Sequence, residues 1–247
     1  MVRFPIYTRQ GALDFFKELF PPNILNCRNI PEETLTYLLR HFQILPRQLV
    51  MLFNSILSTT IKSGGSFGEI EGEIVVKSIH EQESNMADEI IQAYESMYPE
   101  AREIRKKVLP NIPLVFQYKD IRRYYDGKEY VNTGKKILSS MKNKVEVSPY
   151  RFERCLIETG MVGRVMGSQD PHGKSYINAE FEYAMPGTLD LCENDYLVIH
   201  PIFSGQQIRT GLKKFANPNV IGVYPHEADP MNNPDRAYMR DQFVPCS

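Results

Sequence analysis

The sequence predicts a mainly α-helical protein with a small antiparallel β component. It divides into a helical bundle over residues 1–110, a winged-helix domain over 111–203 and an irregular tail over 204–247. Two observations carry this. One segment after another of the first hundred residues holds apolar side chains at the 3.6-residue spacing of an amphipathic helix, and the stretch Val147–Met185 reads as a capped helix followed by alternating strand sequence.

Taken in order, Leu13, Phe16, Leu19 and Phe20 give a helix over 8–20, closed by Pro21-Pro22. After a loop to Ile30, Pro31 is expected to open a second helix, with Glu32 and Glu33 facing its N-terminal dipole and Leu35, Leu38, Leu39 and Phe42 as its buried stripe. Pro46 breaks the chain, and 47–62 is a strongly apolar helix through Leu49, Leu52, Phe53, Ile56 and Leu57. Gly64 to Gly72 reads as a turn region, 73–98 as a long helix and 100–109 as a short one, with a domain junction at 110–113. A helix at 118–125 and a polar linker at 126–144 follow.

The next helix has Ser148 as N-cap, Pro149 in the first turn, Phe152, Cys155, Leu156 and Thr159 on one face, and Gly160 as a stop. Val162–Met166, a polar loop and the alternation of Ile177, Ala179, Phe181, Tyr183 and Met185 make a hairpin. Helix then hairpin with a polar tip is the winged-helix pattern. Residues 195–203 read as a further strand, and in the tail only 219–224 does.

The 247 residues are 42% hydrophobic and 24% charged with net charge −1, so the whole favours no particular partner. Locally, Ser66–Glu100 holds nine acids against Lys77, 1 − 9 = −8, and Lys119–Lys174 holds twelve Lys/Arg against seven acids, 12 − 7 = +5. Four scattered cysteines without a C-x-x-C pair point to a reduced, cytoplasmic protein, and no apolar run reaches membrane-spanning length.

Gly167–Ser175 resembles a phosphate-binding loop only superficially. Five residues separate its first glycine from Gly-Lys-Ser where four are needed, Pro171 interrupts them, and a strand rather than a helix follows, so it reads as a hairpin tip. The five histidines lack ligand spacing, and His41 and His200 read as hydrogen-bonded structural residues. Asp190, Glu193 and Asp195 read as a solvated turn. No catalytic constellation and no metal site is expected.

Arg47 opens an apolar helix after a turn, where a guanidinium can either face solvent or fork onto a phosphate. The basic residues of the second domain suit nucleic acid: Lys119, Arg122 and Arg123 on its first helix, Arg151 and Arg154 on the polar face of the helix at 149–158, and Arg164 and Lys174 beside the wing. Glu153 and Glu158 on the same helix favour a protein-docking role instead.

The helices carrying Arg-His-Phe-Gln-Ile-Leu-Pro-Arg-Gln-Leu (40–49), followed by Phe-Glu-Tyr (181–183) and Ile-His-Pro-Ile-Phe (199–203), resemble the C-terminal portion of bacterial AAA+/STAND-type P-loop ATPases, over roughly residues 3–203. The resemblance implies a helical lid followed by a winged helix, with Arg47 sensing nucleotide phosphates. It departs at the core, since no Walker A or Walker B motif is present. The chain is then either a piece of a longer ATPase or a stand-alone relative that pairs with another chain, and ATP and Mg²⁺ belong to the absent core. The expectation is a non-catalytic regulatory or docking module contacting DNA or a protein through the winged helix. The alternatives are a dimeric DNA-binding regulator and a protein-interaction adaptor using the acidic stretch at 66–100.

Overall fold

In the computed structural model, Pro21-Pro22 lead into a β-hairpin. β1 (Asn23–Leu25) and β2 (Pro31–Glu33) pair antiparallel with Ile24 opposite Glu32. The structure describes residues 14, 16–43, 46–66, 70–141, 145–169, 175–183, 187, 189–216 and 220–225. Asn26 holds the hairpin turn by accepting the backbone N–H groups of Arg28 and Ile30 at 2.9 and 3.2 Å, and Asn29 adopts φ 57°, a left-handed conformation asparagine tolerates.

The helix expected to open at Pro31 therefore starts three residues later, as α1 (Thr34–Leu39). Proline is tolerated at the first residue of a strand, and Glu32 is turned inward onto Arg40 rather than toward a helix dipole. The buried face shifts accordingly to Thr34, Tyr37 and Leu38, and Leu39 is left 37% exposed.

Helices α2 (Pro46–Lys62) and α3 (Gly72–Ala93) bury Leu52 and Ile56, and Val75, Ile79 and Met86 respectively. Residues 16–19 are helical, and Phe20 stacks on Phe16 at 4.5 Å and meets Phe53 at 5.5 Å. The chain groups into two units, Met1–Met86 and Ala87–Ser247, and the Pro110–Pro113 stretch lies within the second.

In the second unit α4 (Ala101–Glu103) widens into a π-helical turn at Ile104–Val108 and tightens into a 3-10 turn at Leu109–Asn111. β3 (Val115–Gln117), a 3-10 turn at Tyr118–Asp120 and α5 (Ile121–Asp126) follow. The expected polar linker contains a further helix, α6 (Gly134–Ser140), capped by the Thr133 hydroxyl, which accepts the Lys136 N–H at 3.3 Å. A Cβ on Gly134 would lie 2.4 Å from the Phe152 ring, so α6 reaches α7 (Pro149–Glu158) through a position no side chain fits. α7 has the expected form. Ser148 accepts the Arg151 N–H at 3.1 Å, Phe152, Cys155 and Leu156 are fully buried, and Gly160 takes φ 68°.

Four more strands, β4 (Val162–Gln169), β5 (Ser175–Glu180), β6 (Tyr196–Ile199) and β7 (Val220–Pro225), join β3 in one sheet of order β3-β6-β4-β5-β7. The β4–β5 hairpin is present, and it does not stand free. β6 pairs antiparallel with β4, and β7 pairs parallel with β5, which makes the sheet mixed. Ala179, Phe181, Val198 and Val223 form the core of this sheet.

β5 ends at Glu180 rather than at Met185. The chain after Ile199 turns into α8 (Pro201–Arg209) rather than continuing as strand to Phe203, because Pro201 suits a first helical turn and the His200 Nδ1 accepts the Ile202 N–H at 3.1 Å. Of the tip expected over Gly167–Ser175, Gly167–Gln169 belong to β4 and Ser175 to β5, and 170–174, like 226–247, lie outside the described residues. The protein is thus mainly α with a smaller β component, and no helix among the described residues is long and apolar enough to cross a membrane.

Lys213, past α8, is 6% exposed and donates to the Leu109 and Ile112 carbonyls at 2.9 and 2.5 Å. Burial pushes its ammonium down to about 7. Above that pH the unfolded chain holds a proton the folded chain has released, so stability rises with pH from about 7 toward the ordinary lysine value. Denaturant unfolding at pH 7 and pH 9 should show a gain of about 1–2 kcal/mol in the parent that Lys213→Met lacks. Equal slopes would contradict the assignment.

Candidate functional site

Helix α7 carries the residues that the sequence offers to a nucleic acid, and its outward face is mostly covered. Of its ten residues only Tyr150 and Arg154 are exposed. Arg151 is clamped by Glu100, with Nε on Oε1 at 2.6 Å and Nη2 on Oε2 at 3.2 Å, and Nη2 also donates to the Met97 carbonyl. Its guanidinium lies 4.6 Å from the Tyr98 ring centroid. The Glu100 side chain is fully buried, so Arg151 neutralises a charge inside the unit. Tyr98 donates to Glu158 and Tyr118 donates to Glu153 at 2.5 Å, and burial, reinforced by these carboxylates, pushes both hydroxyls well above the ordinary tyrosine value.

The other expected cations divide into three groups. Arg164 is 7% exposed and bridges Glu180 at 2.6 Å and the Asp190 carbonyl at 2.8 Å, which places it inside the sheet region and out of reach of an external phosphate. Arg123 and Arg154 are exposed and paired with Glu129 and Glu158, each at 2.5 Å, and Arg154 also lies 5.5 Å from the Tyr150 ring. Lys119 and Arg122 are exposed on the turn before α5 and on α5 itself. Lys174 lies outside the described residues, and Arg47 is exposed in the first turn of α2.

His41 and His200 are both hydrogen-bonded within the fold. His41 Nδ1 meets the Tyr37 carbonyl at 2.7 Å, and His200 Nε2 meets the Tyr183 hydroxyl at 3.0 Å. The turn at Asp190–Asp195 is closed by Asp195, which accepts the Cys192 N–H at 2.8 Å. None of the three described cysteines forms a disulfide. Cys155 is buried, which raises its thiol well above the ordinary value.

The first unit holds a concavity that sequence reasoning did not find. A groove of about 700 Å³ runs between β1 and α3, with Ile24, Leu25, Cys27, Glu73, Lys77 and His80 among its lining residues. Gly72 lets the start of α3 pack closely on Ile24, since a Cβ there would lie 3.1 Å from Ile24 Cγ2 and 3.5 Å from Ile24 Cα. Behind the groove His80 Nε2 stands 3.4 Å from the Tyr37 hydroxyl, a group that burial pushes well above the ordinary tyrosine value. The usable signal was the acidic stretch at 66–100, whose helix forms one wall. The other wall is the unexpected hairpin. No protein family, no curated protein and no solved structure matches this chain.

Proposed function

We propose that the chain is a non-catalytic docking module that engages a protein partner, and that a P-loop ATPase core, where one is supplied, works through it. The carrying observation is that α7 leaves only Tyr150 and Arg154 exposed. A helix that reads base edges needs a row of free polar side chains along the face it presents to the major groove. Here Arg151, Glu153 and Glu158 are already engaged by residues of the same unit. The flanking strands β6 and β7 likewise support a packed helix–sheet unit more than a hairpin that swings onto a phosphate backbone. Within this reading, the exposed Arg47 meets nucleotide only through a separate core, and the ATP and Mg²⁺ of the whole assembly lie there.

Fluorescence anisotropy of a generic labelled duplex tests the choice of partner. The chain should give no tight binding, and whatever weak binding appears at low salt should vanish at physiological salt. The informative variants are Lys119→Ala and Arg122→Ala, because Arg151→Ala and Arg164→Ala would strip buried carboxylates of their counter-ions and confound binding with folding. Tight binding with a steep salt slope, lost in the Lys119/Arg122 pair, would replace this reading with that of a DNA-binding regulator.

A further inference from the structure

We infer that the corner formed by α5, the loop 127–133 and α6 takes an acidic segment of the partner protein with an apolar residue among its acids. Val131 is the apolar contact and the cations around it are the charged ones. The inference rests on the docking reading in taking the partner to be a protein, and it adds the chemistry of that partner and the surface it meets.

Charge is concentrated here and turned outward. Residues 119–136 hold six Lys/Arg against three acids, 6 − 3 = +3, in a chain whose total is −1. Lys119, Arg122 and Arg123 stand three and four residues apart on the continuous turn and helix 118–126, so they share its outer face, with Ile121, Tyr124 and Tyr125 buried behind them. Lys128 is exposed on the loop, and Lys135 and Lys136 are exposed at the start of α6, which packs against α5. Arg123 is paired with Glu129, and the Lys136 ammonium donates to the Val131 carbonyl at 2.7 Å. The side chains of Lys119, Arg122, Lys128 and Lys135 make no ion pair among the described residues, so their charge is open to a partner.

The loop is pinned at several points, so Val131 is held out in solvent. The Gly127 N–H donates to the Arg123 carbonyl at 2.8 Å, and a Cβ on Gly127 would run into that carbonyl oxygen, so the chain turns back through a position that admits only glycine. Glu129 reaches back to Arg123 at 2.5 Å, the Tyr130 ring lies 5.5 Å from that of Tyr124, and the Thr133 hydroxyl caps α6. Between these fixed points Val131 is 82% exposed, the most exposed of the large hydrophobic side chains described. An apolar side chain already held in place costs little ordering when a partner covers it.

This mixture suits a polypeptide better than a nucleic acid. A duplex presents a phosphate charge about every 1.7 Å along its axis, a continuous line that Asp120, Asp126 and Glu129, set among the cations, repel. Val131 offers that line nothing. A peptide places its carboxylates singly and can set an apolar side chain between them, so it meets the cations and Val131 together and avoids the acids.

The test uses the full chain and a fluorescein-labelled peptide, Gly-Glu-Asp-Leu-Asp-Glu-Gly, followed by anisotropy at low and at physiological salt. The parent should bind it saturably, and more weakly at the higher salt because the cations are exposed. Lys119→Glu/Arg122→Glu/Lys135→Glu should abolish binding. Val131→Ser, which removes an apolar contact and no charge, should weaken it about tenfold. Replacing the leucine of the peptide by serine should weaken binding to the parent by a similar factor and cost Val131→Ser nothing further, the coupling expected of two side chains in contact. No binding by the parent, binding that survives the charge reversal, or binding indifferent to both Val131 and the leucine overturns the inference, the last by making the corner a general polyanion surface. Tight duplex binding would instead overturn the docking reading, whereas a duplex and a peptide that both fail to bind would overturn this inference alone.

Discussion

Arg40→Ala is expected to cost the first unit about 3–5 kcal/mol, because it leaves a buried carboxylate without its counter-ion. The Glu32 side chain is 0% exposed and that of Arg40 8%. Their contact is a two-point fork, with Nε on Oε1 at 2.7 Å and Nη2 on Oε2 at 3.1 Å, and the guanidinium also lies 4.8 Å from the Tyr37 ring centroid. With arginine gone, Glu32 keeps only the Asn26 amide at 3.1 Å. Urea unfolding at neutral pH reads the loss. The double variant Arg40→Met/Glu32→Leu, which removes both charges, should recover most of the loss. A loss below about 1 kcal/mol in Arg40→Ala at neutral pH would mean that the pair is hydrated and that the hairpin is not pinned to α1 in this way.

That pair also marks where the sequence was legible and where it was not. Helices α2, α3 and α7 announce themselves because each carries a long apolar stripe at one period, and α7 adds a serine cap, a first-turn proline and a terminal glycine. The β4–β5 hairpin was legible through its alternation, and β7 through its short apolar run. The hairpin β1–β2 has strands of three residues, too short for any period to show, and its second strand is Pro-Glu-Glu, which reads more readily as the acidic first turn of a helix. What decides it is Arg40, seven residues past the end of β2, which draws Glu32 into the interior. α6 escaped for a related reason, having only Ile137 and Leu138 to bury and a glycine start explained by the Phe152 ring lying against it. The candidate site suffered more than the fold. Charge counting finds the arginines of the second unit, and it does not distinguish Arg151 and Arg164, spent on buried glutamates, from Lys119 and Arg122, which face solvent. The acidic wall of the groove was visible as a run of charge. Its opposite wall was not.

Arg151→Ala should destabilise the second unit by about 3–5 kcal/mol, whereas Arg154→Ala, three residues along the same helix, should change stability by under about 0.5 kcal/mol. Both arginines hold a glutamate, and the difference lies in what the glutamate would do alone. Glu100 is fully buried, and among the described residues Arg151 is the cation that pairs with it. Glu158 keeps the Tyr98 hydroxyl and is 26% exposed. Arg151 also covers the Tyr98 ring and caps the Met97 carbonyl, contacts that alanine forfeits as well. Thermal or urea unfolding of the two single variants, with Arg151→Lys as a third, separates charge from geometry. Lysine keeps the charge and gives up the planar fork, so it should fall between the parent and alanine. If both alanine variants were equally mild, Glu100 would have water to turn to, the polar face of α7 would be open after all, and a phosphate-binding role for Arg151 and Arg154 would regain its footing. If Arg151→Ala alone is costly, composition and function part company at this helix. Its arginines are then there to hold residues 97–100 against α7, and the surface left for a partner is the one that Tyr150 and Arg154 share.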